Sequence, residues 1–454
     1  MNFGIWHNGT TNLPLTETDD GLVIPDASLA EMNADRQQVA LERIEHGILA
    51  EQHGFDRLTF TEHHFIITGC EYSPNPLMSQ TAIAAQTDDI KLRQVANILP
   101  WHDPIRFAEQ SSLLDLISDG RTEIGVGRGY QPREGEVLGQ YWGGSVDYDE
   151  QNRKSFEEKV EIVRKAWTED MFSYSGEFHE IPPSYTHWHH PHEAAYLESD
   201  ACEYNVEDMI EWKEDSVDEA DLNPYYPNVV SEASSTLKSI SVFPKPQQDP
   251  HPIMWQPVGS RRSTRYAAER GINPYLSGSR TLETVKQAVD MYYEEVEEAG
   301  WPDHRPEYDG EPFERPWDQE RQRGLTLYVP VFNTDVGSAD TFERWKLGMK
   351  AYRQSIGFFG LLPEFLTGQD EGHPLELLRQ LSADEMLERT LWVAGDEDDI
   401  IDRLVHITEE LDAEDIAFDI AFENVGITGD EANEQLRAFS ERVMPYMLEE
   451  YPSA

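Results

Sequence analysis

Two periodicities alternate along this chain. Short runs rich in β-branched and aromatic residues, such as NFGIW at 2–6, FDRLTF at 55–60 and TEIGVG at 122–127, carry the pattern of buried strands. Between them lie longer stretches in which apolar residues return every three or four positions, the spacing of one helical face. Over 35–53 these are Val39, Leu41, Ile44, Ile48 and Leu49. Read in order, the pattern predicts strand 2–6, helix 35–53, strand 55–60, helix 76–87, strand 91–98, helix 104–117, strand 122–127 and helix 152–169. A hairpin-like stretch, FSYSGEFHEI, follows with Ser-Gly at its turn. The alternation resumes with strand 253–258, helix 260–270, strand 272–277, helix 281–299, strand 324–331, helices 336–356 and 396–411, strand 415–421 and helix 430–447. Eight βα units emerge. They suit a parallel sheet, either closed into a (β/α)8 TIM barrel or open and doubly wound, and the motifs must choose between the two.

The rhythm fails twice. Residues 184–245 show no βα repeat, and between Glu193 and Asp221 twelve acidic residues face one lysine, so this region reads as an acidic insertion after the fourth βα unit. The segment 301–323, rich in Pro, Arg and acids, is expected to form a mobile loop over the site. With 39% hydrophobic residues there is material for one large core, and a single domain spanning 1–454 is expected.

Charge changes the picture further. The chain holds 87 acidic and 36 basic residues, a formal charge of -51. Nucleic acid and anionic membranes are therefore excluded as partners. The acids are spread along the whole length, and only ten of the cations are Lys, a pattern that resembles salt-adapted, halophilic proteins. Cys70 and Cys202 are too few for a disulfide framework and lack metal or redox spacing. With no apolar leader and no membrane-length apolar run, a soluble cytoplasmic protein is expected.

Three segments at predicted strand ends carry candidate chemistry. Glu62-His63-His64-Phe65 follows the second strand, where a barrel builds its catalytic loops, and one imidazole can serve as acid, base or hydrogen-bond donor; a pair of structural loop histidines is the alternative. At 122–129 a strand ends in GVGRG, whose glycines admit close approach of a ligand and whose Arg128 suits a phosphate or carboxylate, or merely caps carbonyls. At 252–264 a strand runs into Gly259-Ser260-Arg261-Arg262-Ser263, either an anion site at a helix start or a plain N-cap by Ser260.

These segments, together with LRQVANILPWHDPIRFAEQSSLLDLISDGRTEIGVGRGY and the terminal VAGDEDDIIDRL and FSERVMPYM, resemble the bacterial luciferase-like flavin monooxygenases, in order and over nearly the whole chain. The resemblance implies a (β/α)8 barrel and a dimer or larger homo-oligomer. It also implies reduced FMN delivered by a separate flavin reductase, O2 as co-substrate, and a flavin hydroperoxide that oxygenates a small organic substrate. His63 matches the catalytic histidine of the family and His64 its neighbour. Arg128 and Arg153 match phosphate-side arginines, and Gly259, Ser260 and Ser263 match the FMN phosphate site. Gly259 stands where the luciferases have an acidic residue, so only its N–H is left for a role there. Val95 and Ala96 align with a pair that forms a non-prolyl cis peptide beneath the flavin ring.

Other readings stay open. A relative using a deazaflavin coenzyme would share the barrel and phosphate site, although the His-His pair favours the oxygenase branch; a non-catalytic flavin-binding partner subunit is a further alternative. The cluster from His187 to His192 invites a metal but has no supporting Cys pair or helical spacing, and no metal is expected. Trp101 and His102 line either the substrate pocket or the packed rim, and Trp345, Phe358 and Phe359 form either a substrate wall or helix packing. If the acidic surface is a salt adaptation, screening its self-repulsion should stabilise the fold. The thermal midpoint is expected to climb by 10 °C or so, as an order of magnitude, when KCl is raised from dilute to molar levels; a salt-independent midpoint rejects the idea.

Overall fold

The computed structural model describes residues 1–139, 149–184, 235–299, 324–357, 372–411 and 416–452, with scattered positions between 186 and 212. Eight parallel strands run β1 (Asn2–His7), β2 (Arg57–Phe60), β3 (Lys91–Gln94), β4 (Thr122–Gly127), β5 (Ile253–Pro257), β6 (Asn273–Ser277), β7 (Thr326–Asn333) and β8 (Ala417–Ala421). Each pairs with its neighbour in sequence, and β8 pairs with β1 through Asn2↔Ala417 to Ile5↔Ile420, so the sheet is closed. The pairing of β4 with β5, in register at Glu123↔Ile253, bridges the long excursion between them. This is a (β/α)8 barrel, not an open sheet.

Around it pack α1 (Leu29–Gln52), α2 (Pro76–Ala84), α3 (Pro104–Ile117), α4 (Asp149–Thr168), α5 (Arg261–Glu269), α6 (Leu282–Ala299), α7 (Ala339–Gly357), α8 (Glu397–Leu411) and α9 (Gly429–Ala438). Local signals set their starts. Ser28 and Glu31 form a capping box, so α1 begins six residues before the periodicity that predicted it. Asn75 and Asp103, each followed by Pro at the first helical position, cap α2 and α3. The last predicted helix is interrupted by a wider π turn over Phe439–Val443, just before Pro445, whose missing N–H removes a rung of the ladder.

The third strand also departs from expectation. Instead of running unbroken over 91–98, it stops at Gln94, and Asn97–Ile98 resumes pairing on β4. Gly125 in β4 makes this possible, because a Cβ there would lie 1.8 Å from the Gln94 carbonyl oxygen. The predicted hairpin appears as Tyr174–Ser175 against Glu180–Ile181. Within 184–245 the described part includes an antiparallel pair, Ile210–Trp212 with Ser235–Leu237. The segment 301–323 lies outside the described residues.

A barrel interior must be filled, and here the filling is charged. Arg93, fully buried, points inward from β3 and donates to Glu123 of β4 at 2.6 Å and to Thr326 of β7 at 2.8 Å. It lies 3.6 Å from Asp419 of β8, and stacks 3.7 Å over Trp255 of β5. Burial would raise the Glu123 carboxyl, but Arg93, Arg57 and Lys91 outweigh it and hold the group down at about 2. Asp419 also accepts from Thr59 at 2.5 Å and Tyr275 at 3.0 Å. Gly4 leaves room for these groups, since a Cβ would meet Asp419 Oδ1 at 2.4 Å. Replacing Arg93 by Leu should strand two buried carboxylates and lower the unfolding free energy by about 3–5 kcal/mol in urea titrations; a loss below about 1 kcal/mol would contradict this account.

Candidate active site

The carboxyl ends of the strands gather three groups of residues. After β2 the chain folds back on itself, with His63 and Ser73 exchanging both backbone hydrogen bonds at 3.0 and 3.2 Å. This places Glu62, His63, Glu71 and, from the helix Pro132–Leu138 after β4, Glu134 in one buried cluster. His63 Nε2 lies 3.5 Å from Glu71 Oε1 and Nδ1 lies 3.9 Å from Glu134 Oε1, an ion-pair separation too long for a hydrogen bond. Tyr130 stands edge-on to the ring at 5.8 Å. Burial alone would lower the imidazole, yet Glu71, Glu134 and Glu62 together outweigh it and lift His63 to about 9. At neutral pH the ring is a cation.

His64 is held differently. Its N–H donates to Glu134, its Nε2 lies 3.4 Å from Glu62, and its ring meets Trp101 edge-on at 5.6 Å. Glu62 ties this loop to the one after β3, accepting from the Ile98 N–H at 2.6 Å and from His102 Nε2 at 2.8 Å. Burial opposes its ionisation, but His102, His64 and the Ile98 amide hold it at about 2. From behind, buried Lys159 of α4 donates to the carbonyls of Pro100 at 3.1 Å and His102 at 2.7 Å.

The Val95–Ala96 peptide between these loops is cis. Val95 belongs to a small apolar cluster with Trp6, Tyr275, Tyr328 and Ala421, drawn from β1, β6, β7 and β8 at the barrel mouth. That cluster forms a floor.

On the opposite rim, Arg128 leaves β4 and donates to Asp149 at 2.8 Å, while its carbonyl accepts from Asn152 at 3.2 Å. Arg153 pairs with Glu150 and Glu157, and Glu150 accepts from Arg262 at 3.0 Å. Glu150 thus bridges cations of α4 and α5 as an anion would. At the start of α5 the N–H groups of Gly259 and Ser260 donate to Ser263 Oγ at 3.2 and 3.1 Å, and Ser260 Oγ caps the Ser263 N–H at 3.2 Å. A Cβ on Gly259 would lie 2.6 Å from Arg280 Nη2, so glycine admits a further guanidinium, from the loop after β6.

The structure therefore brings His63 and His64 together, chains Arg153 through Glu150 to Arg262 of the α5 start, and pairs Arg128 with Asp149 at the start of α4. His102 supports Glu62, and Trp345 is entirely buried as helix packing. Phe358, Phe359 and the positions 187–191 lie outside the described residues, and among those described no group of three or more potential metal ligands forms. Sequence reading missed Glu71, Glu134, Tyr130 and Arg280. In a chain with 87 acids, two glutamates at loop positions look like surface charge, and nothing short of the fold marks them as buried.

Because His63 is held above its ordinary value of 6.5, its contribution to stability is complete below that pH and is lost as pH rises through about 9. Lys159, pushed down to about 7 by burial, acts in the opposite sense, so the comparison must be differential. The stability advantage of the wild type over His63→Gln should shrink by roughly 2–3 kcal/mol between pH 6.5 and 9.5, measured by urea unfolding. A pH-independent difference would remove His63 from the buried ion network.

Comparison with known proteins bears on this site. Residues 21–196, which carry the His63 loop, Arg128 and Arg153, match the family model described as luciferase-like monooxygenase. The chain is 26% identical over 248 residues to an FMNH2-dependent dimethylsulfone monooxygenase of Pseudomonas putida, covering 53% of this chain and 50% of that protein. Alignments to the first three curated relatives span 38%, 57% and 50% of their lengths. The fold matches the oxygenating constituent of 3,6-diketocamphane monooxygenase from Pseudomonas putida, solved with FMN, at a TM-score of 0.63 and 18% identity over 100% of this chain and 99% of that one. It also matches a coenzyme F₄₂₀-dependent secondary alcohol dehydrogenase, with a TM-score of 0.58 and 13% identity over 98% of this chain and 98% of that one. Over residues 21–196 the chain is thus similar to the luciferase-like monooxygenases, and the closed barrel that carries this segment is the fold of those neighbours.

Proposed function

We propose that this chain is a flavin-dependent monooxygenase that uses reduced FMN and O2 to oxygenate a small organic substrate of aldehyde, ketone or hydrocarbon character. One observation carries the reading: the buried His63 loop and an arginine-rich helix start share the barrel mouth with an apolar floor. The residues present suit FMN. The Ser260–Ser263 cap with Arg128, Arg153 and Arg262 would take the phosphate, Asp149 and Glu150, now on those arginines, giving way to it. Trp6, Val95, Tyr275 and Tyr328 would support the ring. Buried and without partners, His63 Nδ1, Asn97 Oδ1 and Trp101 Nε1 are polar atoms suited to a polar ligand.

Bound reduced flavin supplies the electrons that activate O2. The chain's part is to orient the ring, exclude water and hold a proton at His63. A ring held as imidazolium acts as hydrogen-bond donor and acid, not as base, which supports the first of the roles the sequence left open. Exposed Leu113, Leu116 and Ile117 on α3 and Met78 on α2 offer apolar surface suited to a second copy, and a separate reductase would deliver the flavin. Among the described residues no helix is long and apolar enough to cross a membrane, and a cytoplasmic location is part of the proposal.

Anaerobic titration with reduced FMN and with reduced deazaflavin tests the cofactor: tighter binding of the deazaflavin would move the chain to the hydride-transferring branch. In O2-coupled turnover with a flavin reductase and a panel of ketones, aldehydes and hydrocarbons, His63→Ala should keep FMN affinity within about threefold. Its product formation should fall by about 10²–10⁴-fold, and unchanged turnover refutes the role of His63. Ser263→Ala, by contrast, should weaken FMN binding about tenfold.

A further inference from the structure

Glu71 is 2% exposed and its carboxylate is held by three side chains from two loops. It accepts from Asn8 Nδ2 of the β1 loop at 3.1 Å, from Tyr130 OH at 3.0 Å and from Gln131 Nε2 at 2.9 Å, the last two from the β4 loop. All three donors are neutral. Among the described residues, only the His63 ring, 3.5 Å away, approaches it within ion-pair distance as a counter-charge. A buried carboxylate with neutral donors alone is costly, so the pair favours a charged ring. The other carboxylates facing that ring are Glu62 of its own loop and Glu134 of the Pro132–Leu138 helix, with the Tyr130 phenol beside it.

We propose that Glu71 is the positioning residue of His63: clamped to the β1 and β4 loops, it fixes the imidazole and keeps it protonated, so that the ring presents an N–H donor to a reduced flavin. Glu134 supports the same proton from farther away. It spends one oxygen on the His64 N–H and stands 3.9 Å from the ring without a hydrogen bond to it. The inference rests on the flavin reading above, but its first test does not.

The full chain, labelled with [15N]histidine and free of cofactor, is titrated by NMR from pH 5 to 10.5, with His63 assigned by its absence from His63→Gln. The wild-type ring should titrate near 9. Glu71→Gln should lower its proton affinity at least tenfold, whereas Tyr130→Phe should change it less than threefold. A wild-type midpoint near the ordinary 6.5 overturns the proposal without any variant. So does a folded Glu71→Gln protein, judged by circular dichroism, whose ring titrates as the wild type does. Should Glu71→Gln not fold, Glu71→Asp keeps the charge at a longer reach and should lower the proton affinity by a smaller factor; no change overturns the proposal. The second readout is the pH dependence of reductase-coupled product formation, whose alkaline limb should move to lower pH in Glu71→Gln by the same factor. A limb that stays in place overturns the link to the flavin. Failure of the chain to bind FMN at all would leave the ring titration intact, which separates a failure of the flavin reading from a failure of this one.

Discussion

Arg93 is the side chain on which the barrel's interior depends. It leaves β3 and touches β4 through Glu123, β7 through Thr326, β8 through Asp419 and β5 through Trp255. A closed sheet of eight strands has no room for water-filled gaps at its centre, and every group pointing inward must be matched there. Arg57 and Arg93 face Glu123 and Asp419 there, with burial pushing the Asp419 carboxyl up, and Gly4 supplies the space they need. With the interior pinned in this way, the strand ends are fixed relative to one another, and loops from different strands can be brought together with defined geometry.

The mouth uses the same physics in a different layout. Glu62 locks the β2 loop to the β3 loop, and Glu71 locks it to those after β1 and β4. In each case a buried carboxylate gathers donors from separate loops, which orders the loops against one another. The difference is the surplus. In the barrel's interior two carboxylates meet two guanidinium groups, whereas around His63 three glutamates meet one ring. That excess favours the protonated form of the His63 ring. On the other rim the arginines Arg128, Arg153 and Arg262 are paired with Asp149, Glu150 and Glu157.

The protein's acidity therefore has two unrelated components. Most of the 87 acids need no partner beyond solvent and screening ions. A few, Glu62, Glu71, Glu123, Glu134 and Asp419, are buried and are tied to arginines, histidines and neutral donors. Composition records the sum and cannot separate the two.

What the sequence determined by itself was the eightfold alternation, the boundaries of the helix Pro104–Ile117 and the strand Thr122–Gly127, and the placing of His63, Arg128 and Ser260 at strand ends. These are local or periodic properties. A strand buried on both faces is enriched in apolar residues, and a helix start is commonly capped, so both leave a signature in neighbouring residues. Closure of the sheet, the break at Gln94, and the burial of Glu71 and Glu134 beside His63 were decided only by tertiary structure. They depend on groups far apart in sequence, as with Gln94 against Gly125 or His63 against Glu134, and the charge of the central histidine follows from those meetings and not from the histidine itself.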